Sequence, residues 1–140
     1  LNRITRNRAS GRRTHIFIDE IYLLFQHEYS ANFLFTLWKR VRKYGADCTG
    51  ITQNVDDLLQ SHTARTMLAN SEFIVMLNQA STDRLELAKL LSISELQMNY
   101  ITNVDAGCGL IKIGSSLIPF VNKFPKNTKL YKLMTTKPGE

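Results

Sequence analysis

Long apolar runs are missing from this chain. The two longest unbroken ones, Ile21–Phe25 and Phe73–Leu77, are five residues each, far below the roughly 20 that a membrane-crossing helix needs. No apolar stretch follows the arginine-rich N-terminus, so no secretory signal peptide is expected. Cysteine is scarce: Cys48 and Cys108 are the two, without C-x-x-C spacing. That argues against a disulfide framework or a zinc site and for two buried thiols in a reducing cytosol. The three histidines, His15, His27 and His62, show no ligand spacing with one another or with the cysteines, which leaves them structural or surface roles. None of the seven glycines falls in a G-x-x-x-x-G-K-[ST] phosphate loop. The chain opens on Leu1 rather than Met, as a fragment or a processed product would.

What is present is an ordinary globular composition, 44% hydrophobic and 21% charged. At 140 residues it is one domain at most. The net charge of +6 is unevenly placed. Arg3, Arg6, Arg8, Arg12 and Arg13 crowd the start, Lys39, Arg40, Arg42 and Lys43 form a second cluster, and Lys123, Lys126, Lys129, Lys132 and Lys137 a third. Such clusters are either solvated faces or surfaces for nucleic acid, ATP phosphates or an anionic membrane.

Leu1–Arg13 reads as a polar approach segment broken by Gly11. His15–Asp19 is a short strand, apolar at consecutive positions as strands buried on both faces are. Ile21–Tyr29 turns helical, and Ser30 caps a second helix, Ala31–Tyr44. Its apolar stripe is Phe33, Leu34, Leu37, Trp38 and Val41, with Phe33, Phe35 and Trp38 read as core aromatics, and Gly45 stops it. Cys48–Thr52 is the second strand, followed by short helices over Val55–Gln60 and Ala64–Asn70. Phe73–Leu77, without period-2 alternation, is a third strand expected to be buried on both faces. Helices follow over Thr82–Leu91 and Ser94–Ile101, the latter opened by the capping-box pair Ser94 and Gln97. This alternation of strand and helix marks a parallel α/β sheet. The tail differs: Gly107–Ile113 and Leu117–Asn122 flank a Gly-Ser turn, an antiparallel hairpin whose second strand Pro119 confines to an edge. Pro125–Glu140 is expected to be partly ordered at best.

The chemistry concentrates at two strand ends. The first strand runs straight into Asp19-Glu20, which is how P-loop NTPases present their Walker B motif at the carboxyl edge of a parallel sheet. In that place Asp19 could hold the water shell of a Mg²⁺ ion and Glu20 could polarise the attacking water. The second strand ends in Thr52-Gln53, where Gln53 would sense the γ-phosphate or orient the water.

Three stretches make the pattern specific. These are Asn2-Arg3-Ile4 with His15-Ile16-Phe17-Ile18-Asp19-Glu20-Ile21-Tyr22-Leu23-Leu24, Arg42-Lys43-Tyr44-Gly45 with Gly50-Ile51-Thr52-Gln53-Asn54-Val55-Asp56-Asp57-Leu58-Leu59, and Met67 through Gln79. Together they resemble the motor ATPases of conjugative type IV secretion systems, within the RecA-like translocases that include HerA and FtsK. The resemblance covers most of the chain, from about Asn2 to the hairpin.

It implies an α/β fold: an incomplete RecA-like P-loop NTPase sheet of mostly parallel strands with helices on both faces, ending in a β-hairpin. Residues 1–140 would be the C-terminal fragment of one such domain, using ATP and Mg²⁺. By the same resemblance Asp19, Glu20 and Gln53 take the roles of Mg²⁺-shell carboxylate, catalytic base and sensor, and Arg42, Arg84 and Arg65 are candidates for an arginine finger. Arg42 and Arg84 are favoured as lying near the ends of elements flanking the site. The assembly implied is a homo-hexamer, cytoplasmic and peripheral at the inner face of the cell membrane. Its partners would be the membrane-embedded channel components, with DNA as a further candidate.

In the sheet that the resemblance implies, the strand before the P-loop lies between the sensor strand and the third strand, and this chain lacks it. The isolated 140 residues are therefore expected to be poorly stable, inactive and prone to associate. Two other readings stay open. One is a non-catalytic module with a degenerate ATPase fold that binds nucleic acid or oligomerises. The other is a related DNA-pumping translocase.

Overall fold

Two short runs far apart in sequence, Thr14–Ile18 (β1) and Ala46–Gly50 (β2), pair in parallel, with Thr14 opposite Ala46 and Ile18 opposite Gly50. They belong to a computed structural model that describes residues 2–135. Leu1 and residues 136–140, including Lys137 and the end of the expected tail, lie outside the described residues, as do the side chains of Ser81 and Thr82. Two compact units result, Leu1–Ser71 and Glu72–Glu140.

In the first unit the expected approach segment is a helix, Asn2–Ala9 (α1). Ile4 is its single buried residue, while Arg6 and Arg8 suit the negative end of the helix dipole. The Ser10 hydroxyl closes that end on the carbonyls of Arg6 (3.1 Å) and Asn7 (2.9 Å). With one apolar anchor in two turns, the segment had no periodic signal to read. Residues Ile21–Phe25 form a 3₁₀ turn, and Glu28–Arg40 (α2) starts three residues before the expected position. Ser30 is inside α2 rather than capping it, its hydroxyl within reach of the Leu24 carbonyl at 2.6 Å. The helix tightens into a 3₁₀ turn over Val41–Tyr44 and stops at Gly45, whose φ of 67° is the left-handed stop expected there.

Two short helices complete the unit, Val55–Gln60 (α3) and His62–Ala69 (α4). Asn54 caps the first, accepting from the Asp57 N–H at 3.1 Å, and Ser61 caps the second, accepting from the Ala64 N–H at 3.3 Å. Ile21, Leu34, Leu58, Ala64 and Met67 form one buried cluster, flanked by Trp38 and Phe35. Ile4, Val41 and Ala46 form another. Two core expectations are corrected. Phe17 on β1 is 70% exposed and Phe33 on α2 is 50% exposed. Successive strand residues face opposite ways, and the face that Phe17 occupies is not covered within the described chain. Cys48 and Cys108 are both half-buried rather than buried, and burial still pushes the Cys48 thiol pKa up.

The second unit is an antiparallel sheet of Phe73–Met76 (β3), Cys108–Ile113 (β4) and Ser116–Val121 (β5), in the order β3-β4-β5. The hairpin turns through Gly114 at φ 57°, and Pro119 lies on the edge strand as expected. β3 is not buried on both faces: Phe73 and Val75 are 58% and 52% exposed, while Met76 is buried. Among the described residues its ladder is with β4. Ser81–Leu91 (α5) and Glu95–Met98 (α6) follow β3, and α6 carries the complete Ser94–Gln97 capping box. The tail contains a further helix, Lys129–Met134 (α7), capped by Thr128 and held by stacking of Tyr131 on Phe124 at 6.4 Å. Buried residues of this unit include Met76, Leu87, Leu91, Ile93, Ile101 and Leu110. Among the described residues no helix is long and apolar enough to cross a membrane.

A Cβ on Gly109 would run into the backbone carbonyl of Met76, with the Phe120 ring 3.0 Å away. At Gly114 the same atom would meet open space, and only the positive φ resists substitution. Gly109→Ala should therefore destabilise the chain more than Gly114→Ala, whose cost is about 1–2 kcal/mol. Denaturant titration of both variants checks the order, and equal midpoints would overturn the close-packing account.

Candidate functional site

Beyond the ladder, β1 and β2 stay joined. The Ile51 N–H donates to the Ile18 carbonyl at 2.8 Å, and the Ile21 N–H donates back to the Ile51 carbonyl at 3.0 Å. Asp19-Glu20 lies between these two bonds on one chain, and Thr52-Gln53 follows directly on the other. Three of the expected site residues, Asp19, Glu20 and Gln53, are thus brought to one carboxyl edge of the parallel pair, where α/β sheets place ligands.

The backbone there is unusual. Glu20 has φ 48° and ψ 46°, the left-handed region that non-glycine residues avoid. Its N–H is tied to the Asp19 side chain, which accepts it through Oδ1 at 3.0 Å. Asp19 Oδ2 takes no part in that bond. Asp19 and Gln53 are exposed and Glu20 is half-buried. Thr52 fixes the turn after Gln53, its Oγ1 accepting from the Asn54 N–H at 3.1 Å. This Thr52–Asn54 turn and the Asn54 cap set the path of Gln53. The Asn54-x-x-Asp57 spacing was the sequence signal that could have shown it.

Gly50 has its own task. A Cβ there would come within 2.5 Å of Ile21 Cδ1, so its bareness lets the buried Ile21 pack against the end of β2. Gly45 and Gly50 have the glycine spacing of a phosphate loop, but Ile51 stands where the lysine belongs and residues 46–50 are strand.

At the opposite end of the pair, Arg13 grips Asp47 with two bonds, Nε to Oδ2 at 3.0 Å and a terminal nitrogen to Oδ1 at 2.9 Å. His15 Nδ1 lies 3.1 Å from the same carboxylate. The Arg13 hydrogen bonds hold the Asp47 carboxyl below the usual range, with Arg13 and His15 charge adding to the shift. This exposed pair sets strand register, which the sequence alone did not reveal.

The three candidate arginines are scattered. Arg42 is exposed in the 3₁₀ turn before β2, the amino edge, so a strand of about 16 Å separates it from the acids. Arg65 on α4 donates through Nε to the Leu59 carbonyl at 2.7 Å, tying α4 to the end of α3. Arg84 belongs to α5 in the second unit.

The donor set suits Mg²⁺ shared with phosphates. That ion takes one or two carboxylates and keeps its waters, rather than an all-protein cage. Among the described residues no cluster of three or more His, Cys, Asp or Glu could hold a metal alone, whereas the adjacent acids at the sheet edge match the shared mode.

The parallel strand pair thus carries an acid pair and an amide at its carboxyl edge. The family model of the TraG P-loop domain matches residues 3–109, and the chain belongs to that family. Among solved structures it is similar to VirB4 of Thermoanaerobacter pseudethanolicus, with a TM-score of 0.78 and 28% identity. The match covers 90% of this chain and 35% of that one, so the chain spans about a third of that protein's structure. A search of curated proteins found no match.

If the left-handed backbone at Glu20 is imposed by its surroundings, glycine should be favoured there. Glu20→Gly should leave the chain at least as stable as Glu20→Ala, although in ordinary conformations glycine is about 0.5–1 kcal/mol worse. Thermal unfolding of the two variants decides it. A clearly less stable glycine variant would show that the left-handed conformation is absent.

Proposed function

We propose that this chain is the C-terminal part of a RecA-like motor ATPase of the HerA/FtsK class that powers conjugative DNA or protein transfer through a type IV secretion system. The carrying observation is the convergence of Asp19, Glu20 and Gln53 at one edge of the β1–β2 pair, fastened by backbone bonds beyond the strands. Membership of the TraG P-loop family and the likeness to VirB4 support it. So do the exposed apolar side chains of β1 and β3, which suit faces covered by further chain in a larger domain. In this reading the motor works as a homo-hexamer, cytoplasmic and peripheral at the inner face of the membrane, docked on channel components.

Bound ATP·Mg²⁺ supplies the phosphoanhydride to be cleaved and the charge that stabilises its leaving group. Asp19 is the residue that would hold the ion's water shell, its second oxygen being engaged by the Glu20 N–H. Glu20 would accept the proton of the attacking water at its carboxylate. The left-handed backbone and the Asp19 bond fix the main chain from which its side chain departs. Gln53 would orient the same water or contact the γ-phosphate, its position set by the Thr52–Asn54 turn. Arg42, exposed and remote from its own acids, suits an arginine finger offered to a neighbouring subunit. Arg65 suits it least, because its guanidinium serves α3 and α4. Arg84 remains the candidate in the second unit.

Glu20→Gln in the complete motor should abolish turnover, a loss of at least about 10²-fold for a missing general base, while nucleotide binding is retained. Steady-state hydrolysis and a fluorescent-nucleotide titration read the two separately. Wild-type hydrolysis by that variant would remove Glu20 from the mechanism. The 140-residue chain alone should not hydrolyse ATP, and measurable Glu20-dependent turnover by it would overturn the assignment as a part lacking its phosphate cradle.

A further inference from the structure

Away from the acid edge, the first unit has a second concavity. Ile4 of α1, Phe33, Leu37 and Val41 of α2 and its extension, and Tyr44 line a groove of about 140 Å³ with Thr36 and Arg40 at its side. Such a volume is below the few hundred Å³ of small-molecule pockets and suits one large apolar side chain. Its floor is packed, since Ile4 and Val41 are buried in one cluster with Ala46. Phe33 and Tyr44 remain substantially exposed at its rim.

Apart from Glu28 at the start of α2 and Asp47, which Arg13 holds, the segments that line it carry basic charge alone. Residues 1–13 and 29–46 contain no aspartate or glutamate. Arg3, Arg6 and Arg8 on α1 and Arg40, Arg42 and Lys43 beside α2 are all exposed. Arg13, the one arginine of these segments in an ion pair among the described residues, is held by Asp47.

We infer that this groove docks an acidic protein segment that inserts one large apolar side chain between α1 and α2, its carboxylates lying on the surrounding arginines. Charge complementarity selects an anionic occupant, and the apolar socket selects a peptide over a nucleic acid. Phosphate contacts need no such socket. Of the two rings at the rim, Tyr44 already has the Arg8 guanidinium over it at 5.9 Å, which leaves Phe33 alone rather than a row of rings for stacking bases. The arrangement follows the usual anatomy of a binding hot spot, an anchor pocket ringed by polar groups. It is independent of the nucleotide reading, since none of these residues lies at the acid edge.

The test measures binding of the full chain to short glutamate-rich peptides carrying one central Phe or Leu, to the same peptides with Ala at that position, and to single-stranded DNA of mixed sequence. The Phe or Leu peptides should bind about tenfold tighter than their Ala versions, the scale of one well-buried anchor. Thr36→Trp, which fills the groove from an exposed position, should remove that difference while leaving the charge unchanged. Arg40→Glu should weaken all the acidic peptides. Equal affinity with and without the anchor, persistence of the difference in Thr36→Trp, or no peptide binding would each overturn the proposal. DNA binding stronger than every peptide and indifferent to Thr36→Trp would assign the surface to nucleic acid instead.

Discussion

The parallel pairing of β1 with β2 is the constraint on which the candidate site depends. A five-residue ladder alone would fix the strands but not the residues beyond them. The two backbone bonds that continue it, Ile51 to Ile18 and Ile21 to Ile51, extend the order to the residues of the candidate site. A one-residue slip would turn every side chain of β1 to the other face and would shift Asp19 relative to Gln53. Register is guarded at the far end by Arg13 and His15 on Asp47, an exposed contact whose worth is geometric more than energetic.

Below that edge, packing and backbone strain serve the same end. Glu20 stays left-handed because the chain must leave β1, return a bond to Ile51 and bury Ile21 within three residues. Strain of this kind persists only where neighbours over-determine it. The neighbours here are identifiable: the Asp19 side chain on the Glu20 N–H, and Gly50, whose missing Cβ gives Ile21 its place. What is held this way is the main chain from which the Glu20 side chain departs.

Much of this was legible in the sequence, for reasons that differ by element. The strand ending in Asp19-Glu20, the stop at Gly45, the Ser94–Gln97 box and the edge position of Pro119 each follow from local chemistry, and each is present. The helices α1 and α7 were missed because each is short and carries too few buried residues to mark a period. The exposure of Phe17, Phe33, Phe73 and Val75 was not legible either. Composition says that a side chain prefers burial, but only the surrounding chain decides whether a cover exists. The Asp47 grip was hidden because register is a long-range property. Of the site, the residue types were readable, whereas the left-handed turn and the Gly50–Ile21 contact that position them were not.

The exposed apolar residues and the proposed division of catalytic labour point the same way. A sheet strand that places phenylalanine in water loses the roughly 1.5–3 kcal/mol that burial of such a side chain contributes, and several such positions recur on β1 and β3. The acid edge is correspondingly one-sided in the proposed function: it would offer groups for metal water and attacking water, and no lysine-bearing loop for phosphate. Apolar faces that suit further chain and a carboxylate edge that suits a separate phosphate cradle are two expressions of one proposed arrangement. On this view the fold spends its strain on Glu20, where turnover would be set, and leaves the holding of phosphate to chain that packs against those faces.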